Sequence, residues 1–196
     1  MLTPRLFALE PARRLFISDR PKGRYTLEGI QPEHDVLFIS TGTGEAPHNT
    51  MVVELLRRKH RGRIGAIVTV RYQRDLAYLT EYRELEKRFP AFRYLPSTTR
   101  EAVNLDPSHP QYVGKKYTQN LFAMGEISRL LGWESLPENT HIFLCGNPAM
   151  IGIPRRSDDG ELDFPEPPGM IEILLRQGFT LDSPRNLGNI HFEKFW

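Results

Sequence analysis

The chain has 196 residues, of which 39% are hydrophobic and 26% charged, and its formal net charge is +2. This composition is typical of one globular domain, and the balanced charge excludes a strongly basic nucleic-acid binder. A single cysteine excludes an intrachain disulfide, the six histidines lack zinc-site spacing, and no apolar run is long enough to cross a bilayer. The N-terminus also lacks the pattern of a secretory signal. We therefore expect a cytoplasmic protein without a metal, in which any anion site is local.

The first 30 residues differ from the rest of the chain. Their pattern predicts one strand over residues 15–18, a turn over residues 21–23 and a second strand over residues 25–27. Two short strands are too few to enclose a hydrophobic core. We therefore expect the main domain to span residues 31–196.

From residue 35 onward, apolar runs alternate with amphipathic helical patterns. The runs are rich in β-branched and aromatic residues, as in strands covered on both faces, and they span residues 36–39, 64–70, 92–95 and 142–145. The helical patterns lie over residues 51–56, 78–89 and 121–131. With a last strand at the C-terminus, the sequence predicts a doubly wound α/β fold around a mainly parallel, five-stranded sheet. Such sheets bind ligands at the carboxyl ends of their strands.

A glycine-containing stretch, STGTGEAP over residues 40–47, follows the first strand. Gly42 and Gly44 allow backbone angles closed to other residues and let a ligand approach the main chain. Pro47 suits the first turn of a helix, whose free amides favour a pyrophosphate. Because Pro47 stands where a dinucleotide fingerprint has its third glycine, the pattern alone also fits a tight turn without a ligand.

Basic residues follow the next two strands. Arg71 stands where dinucleotide-binding folds contact the adenosine ribose, and its planar guanidinium suits a 2′-phosphate. Arg100 follows the third strand, and Lys115 and Lys116 come after it in the stretch VGKKY. Taken singly, each of them fits an ordinary solvated surface residue better than a ligand contact. Their shared place after strands indicates an anion site.

The stretch CGNPAMI follows the fourth strand. Gly146 permits a turn, Asn147 forms local hydrogen bonds and Pro148 begins a helix in such patterns. Cys145 is either a small core residue or a polarisable group beside a redox cofactor. A nucleophilic thiol would need an activating cation beside it, which the neighbouring sequence does not offer.

The last two segments are a loop and a strand. Residues 153–169 are acidic and rich in proline, which predicts a surface loop before a helix over residues 170–177. The ending NIHFEKFW alternates as a strand does, and its terminal aromatic residues either anchor the strand or offer flat surfaces to a flat ligand. The residues predicted on one side are Ile190, Phe192 and Lys194, and those on the other are His191, Glu193 and Phe195.

In this order the motifs resemble the NADP-binding domain of ferredoxin-NADP reductases, particularly the bacterial branch. They are GTGEAP, VRY with RDLAYL, TTRE, CGNPAMI and an aromatic end after FEK. The resemblance implies that residues 41–47 hold the NADP pyrophosphate and that Arg71 and Arg100 hold the 2′-phosphate, with Lys115 and Lys116 completing the group. The implied NADP(H)-binding residues are Thr41, Gly42, Thr43, Gly44, Ala46, Pro47, Arg71, Arg100, Lys115, Lys116, Gly146, Asn147, Pro148 and Met150.

The resemblance also implies a redox reaction. Electrons pass between NADPH and a ferredoxin or flavodoxin through FAD, with Cys145 beside the nicotinamide and Glu193 assisting proton and hydride traffic. Phe195 would lie against the flavin ring, and Trp196 would extend over the rest of the FAD.

A flavin domain precedes the NADP domain in this family. Leu2 and Thr3 resemble the tail of its pyrophosphate motif, so we expect residues 1–30 to be the end of an antiparallel flavin-binding β-barrel and residues 31–196 to be the NADP-binding domain. A chain with so little of the barrel is expected to hold FAD poorly by itself. Two alternatives stay open: an NADP-binding module without catalysis of its own, and a plain α/β protein that uses its glycines only to turn.

Overall fold

The structure is a computed structural model. The residues that it describes are 3–17, 19–20, 23–157, 161–183 and 187–194. Its strands are β1 (Asp35–Thr41), β2 (Ile64–Val70), β3 (Phe92–Thr98), β4 (Thr140–Gly146), β5 (Arg155–Arg156), β6 (Leu162–Asp163) and β7 (Ile190–Lys194). Its helices are α1 (Thr3–Phe7), α2 (Glu45–Arg57), α3 (Leu79–Arg88), α4 (Ala102–Leu105), α5 (Thr118–Ala123), α6 (Glu126–Leu131), α7 (Pro148–Ile151) and α8 (Met170–Arg176). None of the helices in these ranges has the length and apolar character needed to span a membrane.

Five of the strands form one parallel sheet in the order β3-β2-β1-β4-β7. This confirms the predicted α/β class and the five-stranded parallel sheet. The chain runs from β1 outward to β3 and then returns to place β4 on the other side of β1. The carboxyl ends of β1 and β4 therefore lie side by side, with Ser40 in register with Cys145. A crevice forms at such a reversal of strand order, and ligands bind there.

The central strands are apolar because both faces of the sheet are covered. On β1, Leu37 and Ile39 point into one hydrophobic cluster while Val36 and Phe38 point into the other, and all four are fully buried. The last strand alternates as predicted, since Ile190 packs into the first of these clusters and the ring of His191 stacks on Phe143 of the second. Because successive side chains point into hydrophobic clusters on opposite faces of the sheet, every position of a central strand is buried and can be apolar.

The two strands predicted near the N-terminus do not form, and this prediction is wrong. Residues 15–17 are exposed and outside any sheet, with Phe16 98% exposed, and residues 25–27 also join no ladder. A strand needs a neighbour for its backbone amides and carbonyls, and among the described residues no strand pairs with either segment. The predicted strand residue Ser18 and the turn residues Pro21 and Lys22 lie outside the described residues. The assignment of residues 1–30 to a barrel stays a prediction.

The third helical pattern is split in two. Gly125 adopts a left-handed conformation with φ of 70°, which ends α5 and starts α6. Such a conformation is open to glycine and breaks a right-handed helix. As a result Met124, counted in the apolar face of the pattern, is 70% exposed. The loop over residues 153–169 also contains structure, because β5 and β6 pair as an antiparallel ribbon within it.

Candidate functional site

A cleft of about 1280 Å³ opens at the carboxyl edge of the sheet. Its walls come from the segments that follow β1, β2, β3 and β4, so it lies where the strand order predicts a ligand site. The predicted cofactor-binding residues that line it are Thr41, Gly42, Thr43, Ala46, Arg71, Arg100, Lys115, Asn147 and Met150. Residues far apart in the chain thus share one cavity.

The turn after β1 presents its backbone to this cleft. Gly42 has φ of +53°, and a β-carbon built on it would meet no atom within 4 Å. The glycine is therefore needed for the backbone conformation, and the space above it is open to a ligand. Residues 42–44 form a single turn of 3-10 helix that leads directly into α2. The amide of Glu45 donates to the carbonyls of Gly42 and Thr43, and the positive N-terminal end of α2 lies next to the cleft, where it favours an anion.

Gly44 and Gly146 allow the carboxyl ends of β1 and β4 to lie close together. A β-carbon on Gly44 would lie 2.2 Å from the carbonyl oxygen of Cys145. Gly146, with φ of +129°, would place a β-carbon 2.3 Å from Oγ1 of Thr41. That hydroxyl oxygen accepts a 2.7 Å hydrogen bond from the amide of Asn147 and so ties β1 to the segment after β4. These two glycines support the cleft without lining it.

The two prolines also support the site without lining the cleft. Pro47 lies in the first turn of α2, and Pro148 is the first residue of α7. The side chain of Asn147 accepts a 2.9 Å hydrogen bond from the amide of Ala149 and caps α7, while Asn147 itself lines the cleft. Both proline positions tolerate the missing N–H. The predicted helix starts are therefore present.

Three cations line the cleft without an acidic partner. Within the described ranges no carboxylate forms an ion pair with Arg71, Arg100 or Lys115. The amide of Arg100 donates a 2.9 Å hydrogen bond to the carbonyl of Arg71, which fixes the two backbones side by side. Lys116 points elsewhere, because its Nζ lies 3.8 Å from the Glu126 carboxylate and it does not line the cleft. The structure therefore distinguishes Lys115, which lines the cleft, from Lys116, which does not, and the sequence does not show this difference.

Cys145 is fully buried, and its thiol is neutral. Burial raises the pKa of the Cys145 thiol to about 12, and the carboxylate of Glu193 contributes to the rise. Cys145 pairs in register with Glu193 between β4 and β7, so these two predicted catalytic residues are neighbours. A thiol with such a pKa is no nucleophile at neutral pH. Neither residue lines the cleft, and their proposed roles stay predictions.

Several residues of the cleft were missed from the sequence. Glu45, within the glycine-containing stretch itself, lines the cleft although it is only 3% exposed. Pro167 and Pro168, from the predicted surface loop, also reach it. A charged residue between a glycine turn and a helix start was the available signal for Glu45. The other missed polar and aromatic residues are Thr69, Asp75, Tyr78, Thr99, Tyr117, Gln119 and Asn120.

The residues assigned to flavin contacts lie near the two ends of the sequence. Leu2, Phe195 and Trp196 lie outside the described residues. Thr3, which resembles the tail of the flavin pyrophosphate motif, is the first residue of α1. The flavin assignments therefore rest on the resemblance.

Comparison with known proteins identifies related chains. The sequence pattern of the oxidoreductase NAD-binding domain family matches residues 38–156. The flavodoxin/ferredoxin-NADP reductase of Escherichia coli (strain K12) is 28% identical over 153 residues, which are 76% of this chain and 58% of that protein. The ferredoxin-NADP reductase B of Sorangium cellulosum is 28% identical over 161 residues, which are 82% of this chain and 62% of the relative. The chain thus spans less than two thirds of either relative.

A solved structure shares the fold. A ferredoxin NADP+ reductase from Neisseria gonorrhoeae, determined with bound FAD and NADP, superimposes with a TM-score of 0.66 and 23% sequence identity. The match covers 89% of this chain and 61% of that one. At this identity the likeness supports the fold alone.

Proposed function

Because the chain belongs to the oxidoreductase NAD-binding domain family, among the ferredoxin-NADP reductases, we propose that its cleft binds NADP(H). The observation that carries the proposal is the group of three cations without an acidic partner, Arg71, Arg100 and Lys115, beside the open turn at Gly42. The net charge of the chain is only +2, so this concentration of positive charge is local. It matches an anionic ligand with phosphates at two places.

Each part of the cleft has a distinct task in this proposal. The amides of the turn at residues 42–44 and the start of α2 hold the pyrophosphate, since Gly42 leaves its backbone uncovered. The guanidinium groups of Arg71 and Arg100 hold the 2′-phosphate through charge-assisted hydrogen bonds, and Lys115 adds a third charge. The hydrogen bond between the Arg100 amide and the Arg71 carbonyl keeps the two arginines together before the ligand arrives. Less conformational freedom is then lost on binding.

We assign Cys145 and Glu193 to the nicotinamide end of the site. The two residues pair across β4 and β7, and Asn147, two residues after Cys145, lines the cleft. The buried, neutral Cys145 thiol excludes water and adds no charge there, since burial holds its pKa at about 12. Glu193 is the acidic residue of these two strands, and its carboxylate can accept or release a proton.

The activity that we propose for the whole protein is electron transfer between NADPH and a ferredoxin or flavodoxin. FAD, when bound, supplies the hydride chemistry and the split into single electrons. The names of the relatives and the match over 76% and 82% of the chain support this activity. The contacts of Phe195 and Trp196 with the flavin, and a cytoplasmic location, belong to the same proposal.

A nucleotide-binding module without catalysis of its own is the second candidate. The described residues contain a cleft for NADP(H) whose walls use no residue assigned to FAD, which favours nucleotide binding that is independent of flavin. An absorbance spectrum after addition of FAD, with NADPH-dependent reduction of a dye, separates the two candidates. Flavin absorbance with dye reduction supports the reductase. A colourless protein that binds NADPH and reduces no dye supports the module.

The choice between NADP and NAD tests the site directly. We expect NADP+ to raise the melting temperature by mass action far more than NAD+ does at the same concentration. Each charge-assisted hydrogen bond is worth about 1.5–3 kcal/mol, so the double substitution R71A/R100A is expected to lower NADP+ affinity on the order of a hundredfold. Isothermal titration calorimetry with both nucleotides measures the effect.

The double substitution should leave the weaker NAD+ binding nearly unchanged, since NAD+ lacks the 2′-phosphate. Lys116→Ala is the control, because Lys116 faces Glu126 outside the cleft. If R71A/R100A still prefers NADP+ to the same degree as the original chain, the 2′-phosphate assignment is wrong. If neither nucleotide binds the original chain, the proposed function itself is wrong.

A further inference from the structure

Two acids, Glu45 and Asp75, line this cleft beside its three cations, and Glu45 is the buried one. Glu45 is the first residue of α2, directly after the turn at residues 42–44, and it lines the cleft while only 3% exposed. The hydroxyl of Tyr94, on β3, donates a 2.8 Å hydrogen bond to Oε1 of Glu45. Among the described residues no cation forms an ion pair with this carboxyl group. The carboxyl group therefore lies beside the turn that we propose to hold the pyrophosphate, and it has no direct ion-pair partner among the described residues.

The groups around Glu45 also disfavour a charged carboxylate. On α3, the Glu81 carboxylate repels it, and the buried hydroxyl of Tyr82 has no hydrogen-bond partner in the described part of the chain. The rings of Tyr82 and Tyr94 lie 4.6 Å apart, and the guanidinium of Arg83 lies 5.6 Å from the Tyr94 ring. Burial raises the pKa of Glu45, the Tyr94 hydrogen bond lowers it in part, and Glu81 raises it further. On its own helix, His48 is neutral because burial lowers its pKa to about 3.

An incoming pyrophosphate makes the charged form less favourable still. Two like charges in a site that excludes water repel each other strongly, and one of them is then neutralised by a proton. In the empty cleft the positive N-terminal end of α2 favours the Glu45 carboxylate. In the filled cleft that end of the helix interacts with the phosphate instead. The preferred protonation state of this group therefore depends on whether the cleft is filled.

We propose that Glu45 takes up one proton when the dinucleotide binds and releases it when the dinucleotide leaves, which makes it a positioning residue that couples nucleotide affinity to pH. The inference rests on the proposed function. The carboxylate and a proton from solvent become a neutral carboxyl group, with no other bond formed or broken. Tyr94 continues to donate to Oε1 in both states, so the side chain keeps its place. Because binding takes up one proton, the affinity for the dinucleotide is expected to fall as pH rises, by at most tenfold per pH unit.

Isothermal titration calorimetry counts this proton. NADP+ is titrated into the protein at the same pH in phosphate and in Tris, whose ionisation enthalpies differ, and the difference in binding heat gives the number of protons exchanged. The 2′-phosphate itself titrates with a pKa near 6 and releases a proton when arginines bind its dianion, which is the opposite sign. The informative quantity is therefore the difference between the original chain and E45Q, whose amide oxygen still accepts from Tyr94.

The matched control is E54Q, on the same helix. Glu54 is held ionised by hydrogen bonds from Arg57 and Arg58, which lower its pKa to about 2, so its substitution removes a carboxylate without removing an exchangeable proton at neutral pH. We expect E54Q to match the original chain. We expect E45Q to bind NADP+ with less proton uptake and a flatter dependence of affinity on pH between 5 and 8.

The outcomes are separable from those of the proposed function. Equal proton exchange in E45Q and the original chain across that pH range, with NADP+ bound to both, overturns the inference and leaves the proposed function intact. Failure of the original chain to bind NADP+ overturns the proposed function. If E45Q does not fold, the ¹³C shift of the Glu45 carboxyl carbon in the original chain decides, since its midpoint should rise on addition of NADP+ and an unmoved midpoint contradicts the inference.

Discussion

Charged side chains are paired differently at the two ends of the central strands. We call these ends the amino edge, where the strands begin, and the carboxyl edge, where they end. At the amino edge, Asp35 is 3% exposed and accepts hydrogen bonds from the amide of Arg63 at 2.7 Å and from its guanidinium at 3.0 Å. That guanidinium also lies 4.7 Å above the ring of Trp133. At the carboxyl edge, Arg71 and Arg100 form no ion pair with any described residue.

The difference separates charges that maintain the fold from charges that await a ligand. A buried carboxylate must be paired to be tolerated, whereas a cation that borders a cleft keeps its solvation until an anion arrives. Charge pairing therefore marks the amino edge as structural, and its absence from the described carboxyl edge supports a binding role there. Four measurements test this division.

The largest effect is expected from Asp35→Ala at the amino edge. Removal of one partner of a buried pair costs about 3–5 kcal/mol, and because Arg63 is partly exposed we expect the free energy of unfolding to fall by about 3 kcal/mol. Urea denaturation measures the loss. Glu33→Gln, which breaks the exposed pair with Arg61, is the control and should cost less than about 1 kcal/mol. A change of NADP+ affinity in folded Asp35→Ala would contradict the division between the edges.

The second effect compares two glycines that are two residues apart at the carboxyl edge. Gly44→Ala drives a β-carbon against the Cys145 carbonyl and should lower the free energy of unfolding by about 2–3 kcal/mol. Gly42→Ala meets no atom and pays only for its left-handed backbone, about 1–2 kcal/mol. Urea denaturation and NADP+ titration are both needed, because Gly42→Ala should lose more affinity for a given loss of stability. The opposite order would show that the space above Gly42 is not the ligand site.

A fall in pH should lower the stability that the amino edge contributes, whereas through Glu45 it should raise NADP+ affinity at the carboxyl edge. Burial, together with His191 and His34, lowers the pKa of His141 on β4 to about 4, so the fold contains neutral His141. Stability from this histidine is present above its unfolded pKa near 6.5 and is lost as pH falls toward 4, by about 1 kcal/mol per pH unit after allowance for partial exposure. Urea denaturation at pH 7 and pH 5 measures the loss, and His141→Asn should reduce it. Buried His48, with its pKa lowered to about 3, and His60, whose pKa burial also lowers, contribute to the part that remains.

The smallest effect separates two adjacent lysines. Lys115→Ala removes a cation from the cleft and should weaken NADP+ binding about fivefold, equivalent to roughly 1 kcal/mol. Lys116→Ala breaks an exposed pair with Glu126 and should change affinity less than about twofold. Equal losses in both variants, measured by calorimetry at fixed salt, would mean that the two lysines act only through long-range charge.

Much of the fold could be predicted because it depends on local patterns. Apolar runs such as residues 64–70 are continuous since both faces of a parallel strand are buried, and this property is visible without knowledge of any neighbour. The same reasoning failed for residues 15–17 and 25–27. A short strand pattern becomes a strand only where another strand accepts its backbone hydrogen bonds, and sequence periodicity does not report that neighbour.

The site could be predicted in its residue types and less well in its geometry. Arg71 and Arg100 were identified because their places after strands follow from chain order. Glu45 was missed, since nothing local shows that Tyr94, 49 residues away, shares its hydrogen bond. The glycines of one motif also looked alike, although Gly42 faces open space and Gly44 faces a carbonyl oxygen.

The sequence by itself therefore determined the alternation of strands and helices and the basic and glycine residues that follow the strands, because periodicity and turn chemistry act between residues close in the chain. The tertiary structure alone decided which of these residues share the cleft. Thr41 meets Asn147 across 106 residues only because the sheet order sets β4 beside β1. Lys115 and Lys116 have the same chemistry, and their directions are decided by contacts made after the chain has folded.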